Sequence, residues 1–355
     1  MIERLAARLW WQQHLPIWGW PLTVLSALYG WLWHRRQRAY ASGKRPIYRA
    51  PVPVLVVGNW VVGGAGKTPT TLACADALRQ LGFHPGIVCR GYRARLTHAR
   101  PVQAADDAAQ HGDEAVLLAR RSAQWGVPVF AGVNRPAAVE ALLRAHPSVD
   151  VVISDDGLQH LGLHRDAQIV VMDERGVGNG WMLPAGPLRQ VPPKRLPPNT
   201  WVLYNAQAPG AVWPGACATR TLGSAQSFTQ WAAGDLVPPD SLNQLAQRSQ
   251  EHPVDAVAGI ASPQRFFAML SAAGIQHRQH PRADHVSGAD MAWPGGHGEV
   301  VVTEKDAVKI RLSDPVAARV CVVTLDLQLP DGWMDEIAAC LHQAARVQPV
   351  HRPPD

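Results

Sequence analysis

The chain has 355 residues, 47% hydrophobic and 17% charged, which supplies a large core and excludes global disorder. At about 150 residues per domain the length points to two domains, while thirty Gly and thirty Pro without a period exclude collagen-like and low-complexity architectures. Cys74, Cys89, Cys217, Cys321 and Cys340 lack disulfide or zinc spacing, and the net charge of +6 suits an anionic membrane or substrate. Nucleic acid is not an expected partner, because no basic stripe with interleaved aromatics is present.

Between Arg8 and Arg35 there is no Lys, Arg, Asp or Glu, and six of the fourteen Trp lie in the first 33 residues. After Pro21, Leu22, Leu25, Leu28, Tyr29 and Leu32 recur at helical spacing, opposite a face of Thr23, Ser26, Ala27 and Gly30. His34-Arg35-Arg36 and Arg38 close the run. Pro16, Gly19 and Pro21 interrupt its first half, leaving roughly a dozen helical positions against the ~20 that a span needs. Residues 1–45 are expected to be an apolar helical segment lying on, or shallowly in, a membrane interface, with Trp and Arg as anchors. A helix packed on the protein's own core and a single span are the alternatives. A cleaved signal peptide fits poorly, since no A-x-A site precedes the Arg cluster.

From residue 46, apolar β-branched runs alternate with helical patterns. Strands are predicted at 52–57, 85–89, 127–130, 149–154, 167–172 and 200–204, and helices at 70–81, 113–121 and 136–146. This alternation predicts an α/β nucleotide-binding domain over 46–208, a parallel sheet with helices on both faces. The Pro-rich stretch 184–198 reads as a long functional loop. Residues 209–253 read as a linker with a short hairpin. A smaller α/β domain is expected over 254–355, with strands near 254–260, 275–280, 299–302 and 320–325 and helices at 263–273 and 333–345.

The strand 53–58 leads into Asn59-Trp60-Val61-Val62-Gly63-Gly64-Ala65-Gly66-Lys67-Thr68-Pro69-Thr70. A Gly-x-Gly-Lys-Thr ending between strand and helix is P-loop context. The glycines let backbone N–H groups wrap phosphates, Lys67 reaches the outer oxygens, and the Thr68 hydroxyl can hold Mg²⁺. Val61 stands where the consensus has its first Gly. Val151-Val152-Ile153-Ser154-Asp155-Asp156-Gly157 is an apolar strand ending in two carboxylates, where open parallel sheets bind ligands. One of them can serve Mg²⁺ as a Walker-B Asp does, although Asp-Asp-Gly is also turn chemistry. Gln159 and His160 follow closely enough to face the same cleft. On pattern alone Asp113 is an N-cap, Asp284-His285 a polar loop pair, and Thr303-Glu304-Lys305-Asp306 a capped helix start.

Val57-Gly58-Asn59 with the run from Val62 to Pro69 resembles the unusual phosphate loop of tetraacyldisaccharide 4'-kinases, the lipid A 4'-kinases. Arg90-Gly91-Tyr92, Gly112-Asp113-Glu114 and Asp155-Asp156-Gly157-Leu158-Gln159-His160 are similar to that family's motifs as well. So are Gly178-Asn179-Gly180, Leu183-Pro184-Ala185-Gly186-Pro187-Leu188-Arg189 and Thr303-Glu304-Lys305-Asp306-Ala307, in order from about residue 50 to 312. The resemblance makes Val61 ordinary, because this family lacks the standard first Gly.

The resemblance implies two α/β/α domains closing on the nucleotide, and Mg²⁺- and ATP-dependent phosphorylation of the 4'-hydroxyl of a lipid A disaccharide 1-phosphate precursor. It also implies peripheral association of the N-terminus with the cytoplasmic face of the bacterial inner membrane, and no obligate protein partner. By residue, it implies that Asp113 takes the sugar hydroxyl proton with His285 assisting, and that Lys67 acts on the phosphates. Gly63, Gly64, Ala65, Gly66, Lys67, Thr68, Pro69, Gln159 and His160 would bind the nucleotide. Thr68, Asp155 and Asp156 would serve the metal, and Asn59, Arg90 and Arg189 the substrate. Two positions depart from the family: Gln190 replaces the usual Glu, and Val286 follows Asp284-His285 where a second His is common.

The alternative is a membrane-associated P-loop ATPase or nucleotide switch with no glycolipid product. A partitioning ATPase would carry Lys at the position of Val62. A GTPase switch would carry Asn-Lys-x-Asp, and Thr303-Glu304-Lys305-Asp306 lacks the Asn.

Overall fold

The computed structural model describes residues 8–91, 98–235, 237, 240–283 and 291–347. The first sheet is built from β1 (Val54–Gly58), β2 (Pro85–Cys89), β3 (Arg100–Val102), β4 (Val129–Ala131), β5 (Val151–Asp155), β6 (Ala167–Met172), β7 (Thr200–Tyr204) and β8 (Ala216–Cys217). Their order is β3-β4-β2-β5-β1-β6-β7-β8, and every pairing is parallel except that of β3 with β4. Strand β1 is buried along its whole length between β5 and β6. Its unbroken Val-Leu-Val-Val run is what a strand covered on both faces requires.

Successive side chains divide between two cores. Leu55, Val57, Ile153 and Ile169 share one with Leu72 and Leu78, whereas Val54, Val56, Val152 and Val170 share the other with Ala138 and Leu142. Helix α1 (Leu22–Ala41) precedes this sheet. Helices α2 (Lys67–Gln80), α3 (Asp113–Ala123) and α4 (Arg135–Ala145) cover it.

The second sheet contains β9 (Thr219–Ser227), β10 (Val254–Ala258), β11 (His277–Pro281), β12 (Val300–Thr303) and β13 (Val320–Gln328), in the order β11-β10-β12-β13-β9. Two segments lie elsewhere than the sequence suggests. Strand β9 falls inside the expected linker, yet pairs antiparallel with nearly all of β13. It is polar because it is an edge strand, so it lacks the apolar run that marks β1. The same stretch holds Phe228–Ala233 and helix α5 (Ser241–Glu251), which buries Leu245 under the second sheet. After α6 (Pro263–Ala272), the last helix, α7 (Trp333–Val347), crosses back to the first sheet. Its Met334, Ile337, Ala338 and Leu341 join Leu72 and Leu78 in the core beside α2. Helical periodicity identifies that face but not the sheet it covers.

Helix α1 docks by its small residues. Ser26, Gly30 and Trp33 are buried, and the Ser26 hydroxyl donates to the Met182 carbonyl at 2.8 Å and accepts from the Ala185 N–H at 3.0 Å. The Tyr29 hydroxyl donates to the Arg189 carbonyl at 2.9 Å. The other face looks outward: Val24 is 73% exposed and Trp31 57%, and Leu25, Leu28 and Leu32 are exposed beside them. Among the described residues, no helix is long and apolar enough to cross a membrane.

Candidate active site

Residues 59–66 carry the chain from β1 into α2. Gly63 and Gly66 hold φ of 103° and 96°, a region that side-chain-bearing residues rarely adopt. Thr68 is buried in the first turn of α2, and Pro69 falls where no N–H bond is owed to the helix. The Pro-rich loop straps this turn. Val61 bridges Leu188, the Val62 N–H donates to the Pro187 carbonyl at 2.8 Å, and the Arg189 N–H donates to the Trp60 carbonyl at 2.7 Å. Helix α1 grips the same strap from outside through Ser26 and Tyr29.

Four of the expected residues meet at the carboxyl end of β5. Arg189 donates to Asp156 at 2.6 Å and to Asn59 Oδ1 at 3.3 Å, and Lys67 Nζ lies 3.9 Å from the same Asp156 oxygen. Burial alone would raise the Asp156 carboxyl, but Lys67 and Arg189 outweigh it and hold the group far below the ordinary range. Asp155 has the opposite fate. Burial, reinforced by Glu114, pushes it up to about 7, while the Thr71 hydroxyl donates to it at 2.7 Å. The pair thus favours an ionised Asp156, while a cation beside Asp155 would favour its ionised form at neutral pH.

Gln159 ties the phosphate loop to the strap, donating to the Asn59 carbonyl at 3.0 Å and to Gln190 Oε1 at 2.8 Å. The departure at Gln190 is therefore an acceptor for Gln159. His160 is kept neutral: burial, then Arg135 and Arg90, lower its pKa to about 3. Arg90 itself is exposed at the end of β2, on the same side of the sheet.

Asp113 opens α3 as its first residue, because Gly112, at φ 91°, occupies the capping position. Asp113 lines a cavity of about 1200 Å³ that also touches Arg120, Trp231, Trp293 and Lys309. Next to it, Glu114 meets Lys305 at 3.4 Å, which joins the start of α3 to the end of β12. Thr303 caps the turn Glu304–Ala307, and buried Asp306 accepts the Gly259 N–H at 3.0 Å. Asp284, His285 and Val286, like Tyr92, lie outside the described residues.

Several residues of the site carried no motif. Arg135 is wholly buried beneath β5 and donates to the Gly132 carbonyl at 2.6 Å and the Asp155 carbonyl at 3.1 Å. Asn205, at the end of β7, donates to the Ala65 carbonyl at 2.9 Å. Asn205 had one signal, its position just past the carboxyl end of a predicted strand, and Arg135 had none. Among the described residues no group of three or more His, Cys, Asp or Glu could hold a metal. The oxygens of Thr68, Asp155 and Asp156 nonetheless suit Mg²⁺, which takes few protein ligands and keeps water and phosphate oxygens for the rest.

A phosphate loop after an interior strand of an open, mostly parallel sheet, with two carboxylates at the end of the neighbouring strand, defines a P-loop nucleotide-binding protein. Within that class the chain belongs to the tetraacyldisaccharide-1-P 4'-kinase family, whose model matches residues 18–342. It is 44% identical over 345 residues to the tetraacyldisaccharide 4'-kinase of Leptothrix cholodnii, covering 96% of this chain and 97% of that one. The enzyme of the same name from Methylibium petroleiphilum is 42% identical, covering 89% of this chain and 87% of its own. The fold is also that of LpxK from Aquifex aeolicus, solved in complex with ATP. The TM-score is 0.74 at 24% identity, over 92% of this chain and 99% of that one.

Proposed function

We infer that this chain transfers the γ-phosphate of ATP to the 4'-hydroxyl of a lipid A disaccharide 1-phosphate precursor. The observation that carries the reading is the convergence of Lys67, Asp156, Arg189 and Asn59 on the phosphate loop of a chain from this family. Phosphoryl transfer needs charge neutralisation and alignment more than covalent chemistry, and this cluster supplies both. Lys67 and Arg189 offer donors to phosphate oxygens. Thr68 and the two Asp would hold Mg²⁺, which shields the charge of the phosphates.

Asp113 would receive the acceptor's proton, a reading supported by its position on the wall of the large cavity at the start of α3. His285 would assist from the second domain. The outward Val24, Leu25, Leu28, Trp31 and Leu32 of α1, followed by Arg35, Arg36 and Arg38, lie against the cytoplasmic face of the inner membrane. An acylated disaccharide stays in the bilayer, so the enzyme meets its acceptor there.

The test is ³²P transfer from ATP to purified lipid A disaccharide 1-phosphate. Lys67→Ala should lose most of kcat, since it removes the cation nearest the phosphates. No transfer by the wild type, or wild-type turnover by Lys67→Ala, would refute the reading.

A further inference from the structure

A second cation stands against the phosphate loop, away from Asp156. Arg220 belongs to β9, the edge strand of the second sheet, and its guanidinium is so near Gly66 that a methyl group there would overlap it and Asn205 Nδ2. Its Nε is buried with no hydrogen-bond partner, and among the described residues the guanidinium forms no ion pair. The carboxylates within electrostatic reach are Asp173 and Glu174, with Arg265 as the opposing like charge. Both carboxylates are already engaged: Asp173 by Arg175 at 2.9 Å, and Glu174 by Arg265 at 3.0 Å. Burial pushes the Arg220 guanidinium down to about 10. Asn205 Oδ1, beside it, is also buried without a donor.

An arginine held this way is half-withdrawn from water, its Nε fully, without a paired anion, which costs stability unless a ligand supplies one. The sheet order says which part of a ligand that is. Asp155 and Asp156 stand at the end of β5, on one side of β1, whereas Asn205, with Arg220 beside it at Gly66, ends β7 on the other. A nucleotide whose terminal phosphate faces Lys67 and Asp156 therefore runs toward Arg220 at its inner end.

Resting on the kinase reading above, we propose that Arg220 binds the nucleotide, donating to an inner phosphate common to ADP and ATP. Strand β9 then touches the nucleotide directly, so binding in the first domain also orders the edge of the second sheet.

The test is the affinity of the full chain for ADP and ATP, by calorimetry and by nucleotide-induced thermal shift. Losing a charge-assisted bond should weaken both nucleotides about ten- to a hundred-fold in Arg220→Ala. Arg220→Lys, which keeps the stem and the charge, should fall between that variant and the wild type. Amide exchange across Thr219–Ser227 should slow on ADP binding in the wild type and not in Arg220→Ala. Should Arg220→Ala not fold, Arg220→Lys decides by the same affinity readout. ADP and ATP affinities within twofold of wild type, with only the nucleotide-free melting temperature altered, would show a packing residue and overturn the inference. Failure of the wild type itself to bind ADP or ATP would instead sink the kinase reading.

Discussion

Asp155 and Asp156 are adjacent in sequence, yet their surroundings drive them in opposite directions. Asp156 gains two cations, so its contribution to stability is present above the ordinary carboxylate pKa and lost as pH falls. Asp155 gains burial and a neighbouring Glu114, so its folded pKa of about 7 exceeds the ordinary 3.8. Between those values the native state binds a proton that the unfolded chain has released. Stability from this group is therefore full below the lower value and declines as pH rises through the upper one. Asp155→Asn keeps an acceptor for Thr71 and should abolish this decline. Urea unfolding across that pH window, without Mg²⁺ or nucleotide, measures it. An unchanged pH slope in the variant would rule out Asp155 as its source. Lys67, Thr68, Asp155 and Asp156 were legible because their spacing is a motif. Arg135 and Arg220 are single arginines with no pattern around them, and only packing reveals what they touch.

At the scale of elements, α1 joins two surfaces of different character. Its small face seats on the strap that braces the phosphate loop, and its apolar face is left to solvent. Removing residues 1–36 would take away Ser26 and Tyr29, disturbing the strap as well as the exposed face. A cleaner test is the combined Leu25→Ser, Leu28→Ser and Trp31→Ser variant, which leaves the docked face intact. It should shift the protein from sedimenting vesicles to the supernatant and raise KM for bilayer-dispersed acceptor several-fold, with ATP affinity unchanged. Undiminished vesicle binding would assign membrane contact to another surface. The outward face follows from elementary packing: only Ser26 and Gly30 allow close approach to the strap, and a Cβ on Gly30 would already reach Met182 at 3.3 Å.

For the whole molecule, the two sheets are joined by more than a tether. Strand β9 enters the second sheet beside the phosphate loop, Lys305 reaches Glu114, and α7 returns to the first sheet. On the proposed reading, Asp113 takes the sugar hydroxyl proton and His285, far later in the sequence, assists it. Asp113→Asn preserves shape and should lower kcat on the order of 10²–10⁴-fold with ATP binding intact. His285→Ala should also lower kcat, and the double variant should lose less than the product of the two factors if they act as one unit. Steady-state kinetics on the lipid acceptor decides it. Near wild-type turnover by a folded Asp113→Asn enzyme would remove that residue from the chemistry.

The parallel sheet, the phosphate loop and the paired carboxylates can be read from residue order alone. These depend on local order: continuous apolar strands, glycines before a helix, and charged residues at strand ends. The sequence also carries the family's motifs in order. Packing makes the polar stretch 219–227 a strand, because an edge strand needs a partner rather than an apolar pattern. It alone seated α7 on the first sheet and the Ser26 and Gly30 face of α1 on the strap, since helical periodicity does not encode what a face packs against. The placement of Arg220 at Gly66 was likewise invisible, because the two are 154 positions apart and only the docking of β9 beside the phosphate loop brings them together.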